Sequence, residues 1–458
     1  MPVNYAPLPK RTPRWLVGLT WAIAVGLPVS LLVVLLVLLP ITKPAMIDGF
    51  ILHQLGHDPA VWPWRDLLAA AALVLIGAVV FGWGAVFGGV STWLERKIAG
   101  RMQSRIGPNR AGAGGYLVWM ADALKMLLKE DLVPAEADDL LFRAAPYFGL
   151  VGFLLTFVTL PFGEGIIVAD LGVGAFFVTA ITALVVVGIL VAGWSSNSKW
   201  ALFGGFRSAA QVISYEIPAG ISLMVPVLMA GTLSMQGIIR AQGGAPWNWF
   251  VFRNPAAFVA FFIFFTSQLA EANRTPFDLP EAESELVAGY HSEYSGFRFG
   301  LFFLVEYGSL WVMSALAITL FFGGWQIPGF HADQWVAVRG TSPFPPPAWW
   351  GMQAASMAVF AAKTYTLVLV VLWIRWTLPR IRIDQMMNLC WKYLVPGAFA
   401  CFLFTLLWQL LVSAVPRVEL ASGIALSLVA LVLVALFLKQ TRDNIYSVAG
   451  DRIDLSNW

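Results

Sequence analysis

The segment Glu271–Tyr294, EANRTPFDLPEAESELVAGYHSEY, carries six carboxylates, Glu271, Asp278, Glu281, Glu283, Glu285 and Glu293. Arg274 is the one fixed positive charge among them. Carboxylates crowded into a poorly hydrated site cannot all ionise. They repel one another and titrate as a coupled set, so a charge change at one end can move protons at the other. The chemistry open to such a set is proton relay. A plainer reading also fits part of the segment: Pro280 followed by Glu281 and Glu283 suits the first turn of a helix, where carboxylates favour the dipole. That reading does not cover Glu306, seven residues into an apolar run, where a carboxylate needs a partner or a proton. Lys363 is the matching cation. It lies about three helical turns from Arg375 in another apolar run, too deep to snorkel, and needs an acidic partner, a water-filled cavity or deprotonation.

The elements that must hold these groups are membrane helices. Hydrophobic residues make up 59% of the 458, and only 12% are charged, about half the fraction usual in a soluble chain. Mean hydropathy is +0.74. Charge-free runs able to cross about 30 Å of hydrocarbon are Trp15–Leu39, Leu67–Leu94, Ala144–Gly163, Leu171–Ser198, Ile217–Ile239, Tyr393–Pro416 and Leu420–Leu438, with a shorter one at Asn254–Ala270. Phe299–Trp325 contains Glu306, and Met352–Trp376 contains Lys363. The expected fold is an all-α polytopic membrane protein of about ten transmembrane helices plus an interfacial amphipathic helix. The first run is too long for a signal peptide and no A-x-A site follows it. Alternating from Lys10–Arg14 inside puts 22 Lys and Arg in the inner segments and six in the outer ones. The positive-inside rule then sets both termini in the cytoplasm.

Three inner loops stand out: Glu95–Gly112, Ser198–Pro218 and the acidic segment itself. After the first, Tyr116, Met120, Ala123, Leu124 and Leu127 recur at helical spacing over Tyr116–Leu128, with Asp122, Lys125 and Lys129 opposite, as in a helix lying in the membrane interface. Gly84 and Gly88 form a GxxxG that reads as a packing face. Other chemistry finds little support. Two cysteines, Cys390 and Cys401, form no CxxC. His53 and His57 have i,i+4 spacing, but Gly56 sits in the turn between them, and a solvated loop is the simpler reading. RIGPNRAGAGG lacks the strand–turn–helix context of a phosphate loop, no Rossmann or Walker glycines occur, and no basic run suggests nucleic acid.

The stretches ERKIAGRMQSRIGPNRAG, ADALKMLLKEDLVPAEAD, SKWALFGGFRSAAQVISYEIP and EANRTPFDLPEAESELVAGYHSEYSGFRFGLFFLVEY resemble the quinone-chamber membrane subunit family of respiratory complex I: the H subunit in bacteria, subunit 1 of NADH dehydrogenase in mitochondria. Similarity spans roughly Leu67 to Tyr393. It implies residues 66–393 as the family core, 1–65 as an extra helix and outer loop, and 394–458 as terminal helices and a tail. The first helix, the long outer loop after Phe322 and the last helix depart from the usual pattern. The resemblance implies a subunit of a proton-translocating NADH:quinone oxidoreductase in the cell inner membrane, with quinone (ubiquinone or a relative) as substrate. It implies no redox cofactor or metal in this chain; NADH, FMN and iron–sulfur clusters belong to partner subunits. Those partners are peripheral quinone-site redox subunits and antiporter-like membrane-arm subunits, besides lipid. By resemblance the proton path comprises Glu130, Glu216, Glu271, Glu281, Glu283, Glu285, Glu293, Glu306 and Lys363. The quinone site comprises Glu95, Arg96, Asp122, Arg274, Phe277 and Asp278. An equivalent subunit of an ion-pumping hydrogenase-type complex, or a free-standing secondary transporter, stays open as an alternative; the intact RTPFDLPEAESELVAGYHSEY favours the quinone branch.

Overall fold

A computed structural model describes residues 65–243, 245–280, 286–329 and 347–414, with single positions beyond. Its long elements are α1 (Arg65–Met102), α2 (Val118–Leu128), α3 (Asp139–Thr159), α4 (Gly174–Ser195), α5 (Lys199–Ala230), α6 (Met235–Ala241), α7 (Pro255–Glu271), α8 (Gly296–Phe321), α9 (Pro347–Thr377), α10 (Ile383–Asn388) and α11 (Val395–Ala414). The chain is all-helical over these residues, apart from one isolated bridge between Gly163 and Ile166. Among the described residues, six helices are long and apolar enough to cross a membrane, and α7 is a shorter apolar helix. The protein is thus an all-α polytopic membrane protein. The run Trp15–Leu39 and the His53/His57 pair lie outside the described residues, and Leu420–Leu438 is described only at single positions.

Local sequence explains most helix ends. Asp138 caps α3 by accepting from Leu141 N at 3.1 Å, and Asn254 caps α7 by accepting from Ala256 N, with Pro255 in its first turn. Two boundaries correct the sequence reading. Glu95–Gly112, expected as a loop, is helical as far as Met102, the last residue of α1. Ser198–Pro218, expected as a loop, is the first part of the 32-residue α5. Lys199, Arg207 and Glu216 break the charge-free run, but charge does not stop a helix. Gly231 does, at φ 66° and ψ 17°, a left-handed cap that suits glycine. The expected span Ile217–Ile239 therefore ends at Ala230, and α6 starts afresh from a Ser234 cap.

Of the three prolines inside α3 and α5, each freeing the carbonyl four residues earlier, two have that carbonyl captured by another element. Pro146 frees Phe142 O, which accepts from the Tyr294 hydroxyl at 3.1 Å. Pro218 frees Ser214 O, which accepts from the Cys390 thiol at 3.1 Å. Cys390 lies in a π-helical turn, Leu389–Leu394, joining α10 to α11.

Lipid tails are as apolar as leucine, so close packing rather than exclusion of water must join such helices. α8 sits at the centre, against α1, α3 and α9. Trp311 on α8 stacks on Phe87 of α1 at 4.3 Å and on Phe157 of α3 at 5.6 Å, and meets Phe360 of α9 edge-on at 6.2 Å. Such pairs contribute about 0.5–1.5 kcal/mol each beyond the area they bury. Gly84 and Gly88 are packing positions: an added Cβ would meet Phe153 at 3.1 Å and Leu304 at 3.2 Å. Backbone bonds then gather the loops at one end of the bundle. Asp138 N donates to Ser195 O, Leu132 N to the Ser295 hydroxyl, and Ile381 N to Pro276 O. The C-terminal ends of α1, α7 and α9 and the N-terminal ends of α3, α5 and α8 meet there.

Candidate functional site: an ion-pair cluster beside an apolar chamber

At this end the chain turns back after α7 through residues 272–280. The turn carries Arg274, which is 1% exposed. Its guanidinium lies 3.0 Å from Glu306 on α8 and 3.6 Å from Glu95 on α1, and 4.2 Å from the centre of the Tyr307 ring. Arg375, at the end of α9, reaches Glu95 at 2.8 Å. Arg380 reaches Asp278 at 3.3 Å. Three carboxylates, Glu95, Asp278 and Glu306, thus face three guanidiniums, Arg274, Arg375 and Arg380, and the charges balance when all are ionised. Burial lifts the Asp278 carboxyl above the ordinary carboxylate range, against the pull of Arg380, Arg375 and Arg274. Deep in the bundle Coulomb attraction is strong but desolvation opposes it, so the set is stable only while every member keeps its partner.

Two cavities flank the cluster. One, of about 390 Å³, lies between α1, α2 and α8 and is lined mostly by apolar groups, among them Phe81, Trp119, Met126, Phe303 and Tyr307. Arg96 and Asp122, 2.6 Å apart, form its charged rim with Lys125. α2 lies against the bundle because Gly89 of α1 leaves room for Trp119; a Cβ there would come within 2.5 Å of the indole. The face of α2 is broader than the expected one. Ala123 and Leu127 of the expected apolar face line the chamber, but so do Trp119, Met126 and the charged Asp122 and Lys125, while Leu124 is largely exposed.

The second cavity, about 60 Å³, has room for a few waters. Both Glu306 and Glu271 line it, with Gln268, Asn273 and Thr182. Glu271 bonds Gln268 and Thr182 and lies within electrostatic reach of Glu216 on α5. The structure therefore brings Glu95, Arg274, Glu306, Glu271 and Glu216 into one connected series. Asp278 joins it through the arginines.

The other expected residues fall elsewhere. Glu130 is exposed in the loop after α2. Glu293 is half-buried in the turn before α8. Phe277 is buried against Tyr215 at 5.4 Å and lines neither cavity. Glu281, Glu283 and Glu285 lie outside the described residues. Lys363 is far from the cluster. Its ammonium donates to the carbonyls of Phe322, Gly324 and Gln326 at 3.0, 3.1 and 3.2 Å and lies 4.2 Å above the Trp249 ring. Of an acidic partner, a water-filled cavity or deprotonation, the sequence left all three open; three carbonyls at and just beyond the C-terminal end of α8, the negative end of its dipole, hold the ammonium instead. Three residues of the cluster, Tyr307, Arg375 and Arg380, are not in the expected set. Tyr307 follows Glu306 directly, but nothing in the sequence says that its ring bridges chamber and cluster. Arg375 reads as a helix-end charge until α1 is placed beside it.

The turn before α8 adds a pH-sensitive group. Burial pushes the His291 imidazole down to about 4, so the folded turn holds it neutral. An opened chain binds a proton below about 6.5. Stability of this segment should fall as pH drops from about 6.5 towards about 4, by roughly 2–3 kcal/mol at the acid end. Hydrogen exchange across residues 286–295 in the purified complex should quicken over that window, and His291→Gln should flatten the response. An unchanged response in the variant would assign the effect to another group.

A central membrane helix bearing a paired carboxylate, between an apolar chamber and a small cavity that two carboxyl groups line, defines a multi-pass membrane protein with a buried charged path. Comparison with known proteins gives the class its family. The profile described as NADH dehydrogenase matches residues 68–406. The H subunit of the NADH-quinone oxidoreductase of Anaeromyxobacter dehalogenans is 65% identical over 414 residues, covering 89% of this chain and 99% of its own length. The H subunits of the Chlorobaculum tepidum and Dehalococcoides mccartyi enzymes are 47% and 40% identical, over 77% and 84% of this chain and 99% and 98% of their own lengths. The chain belongs to this family: it is a membrane subunit of an NADH-quinone oxidoreductase, respiratory complex I.

Proposed function

We propose that the chamber between α1, α2 and α8 receives quinone, and that the series Glu95, Arg274, Glu306, Glu271 and Glu216 passes the resulting charge change into the membrane. One observation carries the reading: Tyr307 lines the chamber and also lies under the Arg274 guanidinium. A headgroup arriving beside Tyr307 is separated from the ion pairs by one ring. The lining suits an isoprenoid tail, and the rim pair of Arg96 and Asp122 suits a polar head passing in from the interface. Glu306 and Glu271 share a cavity with room for water, so protonation can move between them without a side chain crossing the bundle. The charged end faces the cytoplasm, by its Lys and Arg content. NADH, FMN and iron–sulfur chemistry lies in peripheral partner subunits, and ions cross through antiporter-like membrane-arm partners.

A photoreactive quinone analogue tests the chamber. In the intact complex it should label α2, the neighbouring part of α1 or the start of α8, in competition with native quinone. Labelling confined to residues at the opposite end of the bundle, such as Glu164–Asp170, would refute the assignment.

A further inference from the structure

The arginine of the cluster sits on a turn, and a turn must be held. Asn273, immediately before Arg274, has φ 49°, a left-handed conformation that asparagine tolerates but that its surroundings must maintain. Three contacts come from α5 and the α9–α10 linker. Tyr215 packs its ring on Phe277, Ile381 N donates to Pro276 O, and Gln211 reaches in from α5. Gln211 is fully buried. Its amide nitrogen faces Ala270 O at 2.8 Å, Phe277 O at 2.7 Å and Asn273 Oδ1 at 3.2 Å. The two backbone carbonyls can only accept, so the orientation of the amide is forced. One nitrogen therefore ties the last turn of α7, at Ala270, to Phe277 in the reversal, with Arg274 between them.

We propose that Gln211 is the positioning residue of the cluster: by tying the end of α7 to Phe277 it fixes where Arg274, between them, meets Glu306, Glu95 and the Tyr307 ring. The inference rests on the coupling role given to that cluster above. Arg274 has no helix of its own to set its direction. Its ion pairs run to two different helices, so a shift of the turn changes both at once. A misplacement of about 1 Å at a reacting group can reduce rate on the order of 100-fold. Gln211 touches neither cavity, so it acts only through the turn.

The test uses the intact complex in membrane vesicles, with NADH and a short-chain quinone as substrates. Gln211→Met keeps the unbranched shape and removes the donor. We expect assembly, an unchanged KM for quinone and a kcat lower by about 10- to 100-fold. Gln211→Glu presents a carboxyl to three acceptors, and only its protonated form can donate. Its activity should therefore recover as pH falls from about 8 to about 6, while the Met variant shows no such recovery. A packing role would give the opposite pattern, a near-normal Met variant and no acid recovery in the Glu variant, and would overturn the proposal. Failure of both variants to assemble would place Gln211 in folding alone and overturn it too. Arg274→Lys is measured alongside. If it loses turnover while Gln211→Met keeps it, the positioning role falls and the coupling role stands. If both keep full turnover, the reading of the cluster itself falls.

Discussion

Glu306→Gln should leave the complex assembled while quinone reduction and ion translocation fall together, by roughly 100-fold, the scale of losing a proton-transferring group. Gln keeps the shape of the side chain and can still accept from Arg274 at 3.0 Å, so the α8 packing around Trp311 is untouched. What is lost is the charge and the proton. The balanced set of three carboxylates and three guanidiniums gains a net positive charge. The cavity shared with Glu271 loses one of its two carboxyl groups. Glu271 can share protons with its neighbours, so Glu271→Gln is made separately and in combination; coupled carboxylates compensate singly better than doubly. The two activities are measured on the purified complex in liposomes. A Glu306→Gln complex that reduces quinone and pumps normally would mean that Glu306 is an ion-pair anchor for α8 and carries no proton.

Arg274→Met should act one step earlier, on assembly. Removing one partner from a buried ion pair costs about 3–5 kcal/mol, because the opposite charge stays buried without compensation. Here Arg274 faces both Glu306 and Glu95, and only Glu95 keeps a second cation, Arg375. The turn 272–280 would lose its main link to α1 and α8. The expected result is little assembled complex, read on native gels, at expression levels that give abundant wild-type complex. Arg274→Lys separates charge from geometry. A single ammonium restores the charge but cannot fork between two carboxylates while stacking on Tyr307. It should therefore restore assembly and not turnover. A Met variant that assembles fully would show that Glu306 is content without a cation.

The sequence by itself determined the class of protein, most of the described spans and the residues that do not belong in lipid. Glu306 and Lys363 are conspicuous because a charge inside an apolar run is costly wherever it lies. The helix start at Asn254 is local chemistry and is read in place. The ends at Asp138 and Gly231 are equally local, but the charge-free run starts inside the one helix and continues past the end of the other, so the expected spans miss both. The tertiary structure decided partnership. Glu95, Arg274, Glu306 and Arg375 come from four segments as much as 280 positions apart, and no periodicity within one helix encodes which neighbour it meets. The same holds for Lys363, whose three carbonyls come from the chain beyond α8. It holds too for the carbonyls that Pro146 and Pro218 release. A proline announces the missing donor, but only the packed bundle supplies the Tyr294 hydroxyl and the Cys390 thiol that answer it. The α2 helix shows the same limit. Its amphipathic character is written in its spacing, but which residues face the chamber depends on the space Gly89 leaves on another helix. Charge in lipid forces a partner to exist; close packing of distant segments chooses it.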